Sequence, residues 1–365
     1  MKLQALWFDR RDRLVFGEAA IEGGVVASLR AVWDEDPPAD APYLLPGLCD
    51  IHTHGNSGFD FSDGDFDGLV EMARYLYRHG VTRFCPATVA LPEERLLRMC
   101  ENAKRLHDEP VPGCARLVGI NLEGPFLSRE KRGAQDAEHL RAPDCALYAR
   151  LQKAAGGLIK IVCVAPELPG AMAFIRRVSK EARVSLAHTD CDYDTAAAAI
   201  NAGARHATHL YNAMRPMHHR APGPVPAAAE DCRVTAELVC DGLHVHPAMV
   251  RAAYRLFDRD RLCLVSDAMA ACGMGDGEYG LGDRCVFVRE GRAALADGTI
   301  AGSTATLWDC LKNATAFGIP LADASRMASA TPLRAVGERP APVREGEKAN
   351  FVLCTDSFEL LDVYA

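Results

Sequence analysis

The sequence predicts an α/β protein, a (β/α)8 TIM barrel with a small β-sandwich formed from its N- and C-terminal segments. Three observations lead there. Eight short apolar β-type runs recur through the chain, at residues 44–53, 81–89, 117–123, 159–165, 184–188, 206–210, 234–240 and 262–267. Helical patterns fall between most of them, at 65–79, 92–107, 146–155, 170–181, 195–202 and 247–257. Strands that alternate with helices build a parallel sheet buried on both faces, and eight such units close into a barrel. Finally, the chain has 365 residues, whereas a barrel of this kind needs about 250, which leaves enough for one accessory unit.

The two ends read differently from the middle. Residues 1–43 hold short alternating strands broken by Asp9-Arg10-Arg11-Asp12 and by Gly23-Gly24. Residues 340–365 add a strand pair at 349–354 and 359–363. Neither end can bury a core alone, so 1–43 and 340–365 are expected to pair beside a barrel spanning 44–339. The Pro-rich stretch 213–231 argues against a long helix there, and a hairpin-like insertion occupies 284–300.

Composition narrows the function classes. Hydrophobic residues make up 49% and charged residues 25%, with a formal charge of -8, which is ordinary for a globular chain and lacks the basic balance of a nucleic-acid binder. The start, Met1-Lys2-Leu3-Gln4-Ala5-Leu6-Trp7-Phe8-Asp9-Arg10, reaches charge before a signal-length apolar core develops. No apolar run has the roughly 18 residues that a membrane span needs, so a cytoplasmic protein without a membrane partner is expected. The 14 cysteines form no C-x-x-C pair. Several lie inside apolar runs, as Cys163 and Cys263 do, and read as buried free thiols; Cys49 stands out only for lying close to His52.

Active sites of such barrels form at the C-terminal ends of the strands. Those ends carry His52 and His54, then Glu123, His188, His209 and Asp267. Imidazoles and carboxylates gathered this way are a metal-ligand inventory. Histidines two apart on a strand face the same side, so His52 and His54 can serve one ion together. Gly55 lets the backbone turn closely beside them. His79, His107 and His206 read as surface or packing residues, and His246 as peripheral.

The motifs then become specific. Pro46-Gly47-Leu48-Cys49-Asp50-Ile51-His52-Thr53-His54-Gly55 is followed by Leu122-Glu123-Gly124-Pro125-Phe126, Ala187-His188-Thr189 and Thr208-His209-Leu210-Tyr211-Asn212-Ala213-Met214. Asp241-Gly242-Leu243-His244-Val245, Val265-Ser266-Asp267-Ala268 and Ala301-Gly302-Ser303-Thr304 complete the series. Together they resemble the amidohydrolase superfamily and, within it, the N-acetylglucosamine-6-phosphate deacetylases.

That resemblance implies roles. Glu123, His188 and His209 form a central metal site, and His52 with His54 a second one bridged through Glu123. The metal is a divalent ion, zinc first and iron(II) as the alternative, one or two per subunit. Asp267 is the acid/base that takes a proton from the attacking water and returns it to the departing amine. Asn212 and Ala213 offer backbone N–H groups to the substrate phosphate, and Arg220 reaches it from the neighbouring subunit of a homodimer. His244 contacts the sugar or phosphate, and Ala134, Gln135, Ile300, Ala301 and Gly302 line the substrate pocket. One departure stands out: the family reads Gly-Ala-His where this chain reads Gly133-Ala134-Gln135. An amide can donate a hydrogen bond but carries no positive charge, and the nearby His139 would substitute if the loop is rearranged. The expected reaction is deacetylation of N-acetyl-D-glucosamine 6-phosphate. The alternatives are deacetylation of a related N-acyl amino sugar such as N-acetylgalactosamine 6-phosphate, another amidohydrolase reaction, or a metal-containing sugar-phosphate binding protein without catalysis.

Overall fold

The computed structural model describes residues 1–32 and 37–365. The chain opens with β1 (Lys2–Phe8), β2 (Leu14–Glu22), β3 (Val25–Ala31) and β4 (Tyr43–Pro46). Gly47 then separates β4 from β5 (Leu48–Thr53), so the run read as one strand over 44–53 is two. A Cβ at Gly47 would stand 2.6 Å from the Thr82 side chain, so the chain can pass from one sheet to the other only as glycine.

Seven further strands follow β5 around the barrel: β6 (Val81–Pro86), β7 (Ile120–Leu122), β8 (Ile159–Val164), β9 (Arg183–Leu186), β10 (His206–Ala207), β11 (Thr235–Val239) and β12 (Leu262–Val265). Each pairs in parallel with the next. The parallel bridge Ala87↔Asn121 joins the second strand to the third, and Thr53↔Ala268 returns the last to the first. The ring therefore closes. Every residue of β5, β11 after Thr235, and β12 is buried, as expected where side chains fill the ring inside and helices cover it outside.

The covering helices are α1 (Phe66–Arg78), α2 (Glu93–Asp108), α3 (Cys145–Ala154), α4 (Ala171–Val178), α5 (Tyr193–Ala202), α6 (Pro224–Glu230), α7 (Pro247–Arg261) and α8 (Leu307–Ala316). Their starts follow local chemistry. The Asp65, Asp144 and Asp192 carboxylates accept the first free N–H groups of α1, α3 and α5, and Thr306 and Asp309 cap α8 reciprocally. The Pro-rich stretch does contain a helix, α6, but it is only seven residues long and starts at Pro224, where a missing N–H costs nothing. Among the described residues, no helix is long and apolar enough to cross a membrane.

The insertion after the barrel strands is a three-stranded sheet, β13 (Gly277–Leu281), β14 (Arg284–Arg289) and β15 (Arg292–Ala294). Two short helices, α9 (Leu321–Met327) and α10 (Ala330–Ala335), lead to β16 (Phe351–Cys354) and β17 (Leu360–Tyr364). These last strands join the first four in one six-stranded sheet ordered β17-β16-β4-β1-β2-β3. The bridge Val25↔Lys348 ties β3 back to the approach to β16, so the sandwich is a single sheet curled upon itself. Trp7, Val15, Leu44 and Phe351 fill it.

All 14 cysteines are free, and ten of them are buried. Burial pushes the thiols of Cys85 and Cys263 above their usual range, as for inert core residues.

Phe351 is fully buried in the curled sheet with its ring against Tyr364. Phe351→Ala is expected to cost about 3–5 kcal/mol, read by urea denaturation. A loss too small to resolve would mean the terminal sheet carries no packing of its own.

Candidate active site

Three residues at strand ends have left-handed backbone: His188 (φ 43°), His209 (φ 27°) and Asp267 (φ 49°). Side chains other than glycine avoid that region, so the surroundings must impose it. They do so through backbone bonds. Asp267 N–H donates to His52 C=O at 2.9 Å, and Asp267 C=O accepts from Ser303 N–H at 2.7 Å. His209 C=O accepts from Asn212 N–H at 3.0 Å, and His188 C=O accepts from Ser128 N–H at 3.0 Å. On β5 the pairing with β6 slips twice, after Leu48 and after Asp50, which re-aims the side chains near the strand end.

These turns bring the expected residues together. Glu123 Oε1 lies 2.9 Å from His209 Nε2 and 3.1 Å from His188 Nε2. Those two nitrogens are themselves only 3.1 Å apart. Glu123 Oε2 is 3.5 Å from His54 Nε2, and Asp267 Oδ1 is 3.2 Å from the same nitrogen and 3.6 Å from His52 Nε2. Two ligand sets result, Glu123–His188–His209 and His52–His54–Asp267.

Both sets fit a divalent cation. His52 Nε2 is buried and has no hydrogen-bond partner, although it faces two carboxylates. The converging Nε2 atoms of His188 and His209 cannot satisfy each other as two lone pairs, whereas one cation satisfies both. Burial opposes charge on Glu123 and on Asp267, yet the neighbouring imidazoles hold both carboxyls below their usual range. Burial likewise opposes a proton on His52, but Glu237 and Glu123 outweigh it and hold His52 at about 10. The cluster thus demands positive charge, which protons or metal ions can supply.

Sequence reading missed what stands behind these ligands. Glu237, in the middle of β11 and fully buried, accepts from His52 Nδ1 at 2.8 Å, His206 Nε2 at 3.0 Å and the His209 N–H at 3.1 Å. Burial works against its charge, but His52 and His206 bring it to about 2. Its bond to Nδ1 fixes the His52 ring so that Nε2 faces the site. His206, read as packing, belongs to this network. Its available signal was a carboxylate, Glu237, inside an apolar strand. Asp50 braces the other side, accepting from Ser266 Oγ at 2.5 Å and from Ser266 N–H at 3.3 Å.

Above the ligands lies a cavity of about 340 Å³ lined by His54, Glu123, His188, His209 and Asp267. Ala134, Gln135, Asn212, Ala213, His244, Ile300 and Gly302 line it too. His244 is held by Asp241 at 2.7 Å, with Nε2 3.8 Å from Asp267 Oδ2. Ala301 is completely buried outside this lining, displaced by its neighbours Ile300 and Gly302. The Asn212 N–H donates to His209 C=O at 3.0 Å, which fixes the turn that brings Asn212 to the cavity wall. Arg220 is exposed and outside the lining, with Nη1 2.7 Å from His219 Nε2. Lys131 and Arg284 line the cavity without having been anticipated, Arg284 at the start of β14 in the inserted sheet. His139 does not reach the ligands; it pairs with Asp283 at 3.4 Å.

Comparison with known proteins places this arrangement. Residues 43–364 match the amidohydrolase family. The chain is 35% identical over 359 residues to the N-acetylglucosamine-6-phosphate deacetylase of Bacillus subtilis (strain 168), covering 94% of this chain and 90% of that protein. It is 34% identical over 319 residues to the N-acetylgalactosamine-6-phosphate deacetylase of Escherichia coli O157:H7, covering 87% and 84%. Among solved structures, an N-acetyl-D-glucosamine-6-phosphate deacetylase mutant from Mycobacterium smegmatis, in complex with N-acetyl-D-glucosamine-6-phosphate, superposes with a TM-score of 0.91 at 35% identity. That match covers 99% of this chain and 96% of the other.

Glu237→Ala leaves the ring N–H groups of His52 and His206 buried without an acceptor. Breaking a buried pair this way costs about 3–5 kcal/mol, to be read as a lower urea midpoint in metal-stripped protein. An unchanged midpoint would show that the network does not hold the ligands in place.

Proposed function

This chain belongs to the amidohydrolase family and, within it, to the N-acetylglucosamine-6-phosphate deacetylases, and on that premise we propose that it hydrolyses N-acetyl-D-glucosamine 6-phosphate to D-glucosamine 6-phosphate and acetate. The observation that carries this reading is Asp267, held at the floor of a sugar-sized cavity between His54 and His244.

Amidohydrolases are metal-dependent, and the two ligand sets here have the donors for it. Glu123, His188 and His209 would hold one ion, and His52 and His54 a second beside Asp267. Zinc suits these nitrogen and oxygen donors, and iron(II) is the alternative. A bound divalent ion supplies Lewis acidity toward the amide oxygen and acidifies water. The remaining work falls to the chain itself. Asp267 takes the proton as the water oxygen bonds to the acetamide carbon. When the C–N bond breaks, the same carboxyl returns that proton to the leaving nitrogen, which departs as the amine. His244, oriented by Asp241, presents its Nε2 to the sugar beside Asp267.

At the other end of the sugar, Ala213 and Arg220 are the residues assigned to the phosphate. Arg220 lies outside the cavity of its own chain, and this reading has it enter the cavity of a second copy in a homodimer. Exposed Met217 and Met249 line a groove that shares His244 with the cavity and give such a contact apolar surface. Phosphorylated sugars of this kind are cytoplasmic metabolites, so the enzyme is placed there. The similarity to a galactosamine-type deacetylase supports the galacto epimer as the second reading.

Asp267→Asn keeps the shape but cannot take the proton. Acetate release is expected to fall by about 10²–10⁴-fold, the usual worth of an acid/base group, with the zinc held by Glu123, His188 and His209 retained by elemental analysis. Near-parental turnover in that variant would remove Asp267 from the mechanism. In a panel of the gluco sugar phosphate, its galacto epimer and unphosphorylated N-acetylglucosamine, the first is expected to turn over fastest. Equal turnover without the phosphate would dismiss Arg220 and Ala213 as its binders.

A further inference from the structure

Gln135 sits in the irregular segment between β7 and α3, yet it is only 7% exposed. Its amide is held at both ends. The Ala90 N–H donates to Oε1 at 2.6 Å, and Nε2 donates to Glu123 Oε2 at 2.6 Å. A backbone N–H can only donate, so the amide oxygen must face Ala90 and the NH₂ must face Glu123. The amide therefore has one orientation.

This divides the duties of the Glu123 carboxylate. Oε1 meets the Nε2 atoms of His188 and His209, while Oε2 is held by Gln135, with His54 Nε2 at 3.5 Å. Torsion about a terminal carboxylate bond is soft, with broad wells. Without a donor on Oε2 the group could turn and share its charge differently between the two imidazole pairs.

The frame behind the clamp is stiff. Thr88 Oγ1 donates to Glu123 C=O at 3.1 Å, and Thr88 N–H donates to Asn121 C=O at 3.0 Å. Gly124, at φ 83°, packs so closely that a Cβ there would stand 2.9 Å from Ala90 N. Residues 88–90 thus hold the Glu123 backbone directly and its carboxylate through Gln135.

We infer that Gln135 is a positioning residue for Glu123: by occupying Oε2 it keeps Oε1 aimed at the His188–His209 pair and so tightens divalent-cation binding there. The inference rests on the metal reading of the site and not on the identity of the sugar.

The test uses the full chain, stripped of metal, with no sugar present. Zinc affinity is measured by competition with a chromophoric chelator in the parent protein, Gln135→Met and Gln135→Ala. The methionine keeps most of the side-chain volume without the donor, and the alanine serves if methionine disturbs folding. Zinc dissociation constants are expected to rise by about 10–100-fold, the usual effect of losing a partner that orients a ligand. The visible spectrum of the cobalt(II)-loaded variants should shift as the carboxylate turns, and the thermal midpoint of the stripped protein should fall modestly because the buried Ala90 N–H loses its acceptor. A merely structural residue would lower that midpoint and leave both metal readouts alone. Parental zinc affinity and an unchanged cobalt spectrum in both variants would overturn the inference while leaving the proposed reaction intact. A parent protein that binds no zinc would overturn both.

Discussion

The carboxylate of Glu123 is the point on which this molecule turns. It is almost completely buried, and the Nε2 atoms of His52, His54, His188 and His209 all lie within 3.5 Å of its oxygens. Isolated burial of such a charge costs several kcal/mol (on the order of the penalty for any ion taken from water), and a partner must repay it. Here the partners arrive from the ends of three different strands, so the barrel has to close for the charge to be tolerated. The strained turns at His188, His209 and Asp267 follow from the same demand, since each trades local backbone preference for a side chain aimed at one spot.

A second carboxylate, Glu237, answers the first from beneath. It holds the ring of His52 and the backbone of His209, one from each ligand set, so the two sets share a rigid floor. On the opposite side the cavity is walled by the loop that carries Gln135 and by the inserted sheet through Leu281, Asp283 and Arg284. His139 and Arg95 both pair with Asp283 and tie that loop and α2 to the sheet. The chemistry thus rests on rigid strand ends, while residues chosen for the substrate occupy the loops above them.

How much of this the sequence discloses depends on how local the signal is. His52 and His54 are legible because strand periodicity alone puts them on one side, and the other ligands because each ends an apolar run. The barrel itself is legible for the same reason. Glu237 and His206 are hidden because their meaning lies in contacts across 28 residues of chain and more, and a histidine at a strand start looks like packing until its partner is seen. Gln135 reads as a missing histidine in sequence, whereas its bonds to Ala90 and Glu123 give it a different place. The split of one run at Gly47 depends on packing that no side-chain pattern encodes.

The central claim is that Glu123 Oε1, His188 and His209 form a cation site that the fold exists to hold. The most direct measurement is an anomalous difference map at the zinc edge from crystals equilibrated with zinc. The account predicts a peak bounded by Glu123 Oε1, His188 Nε2 and His209 Nε2, with any second peak beside His52 and His54. Crystals of protein that releases acetate at full rate, yet show no density there, would contradict it.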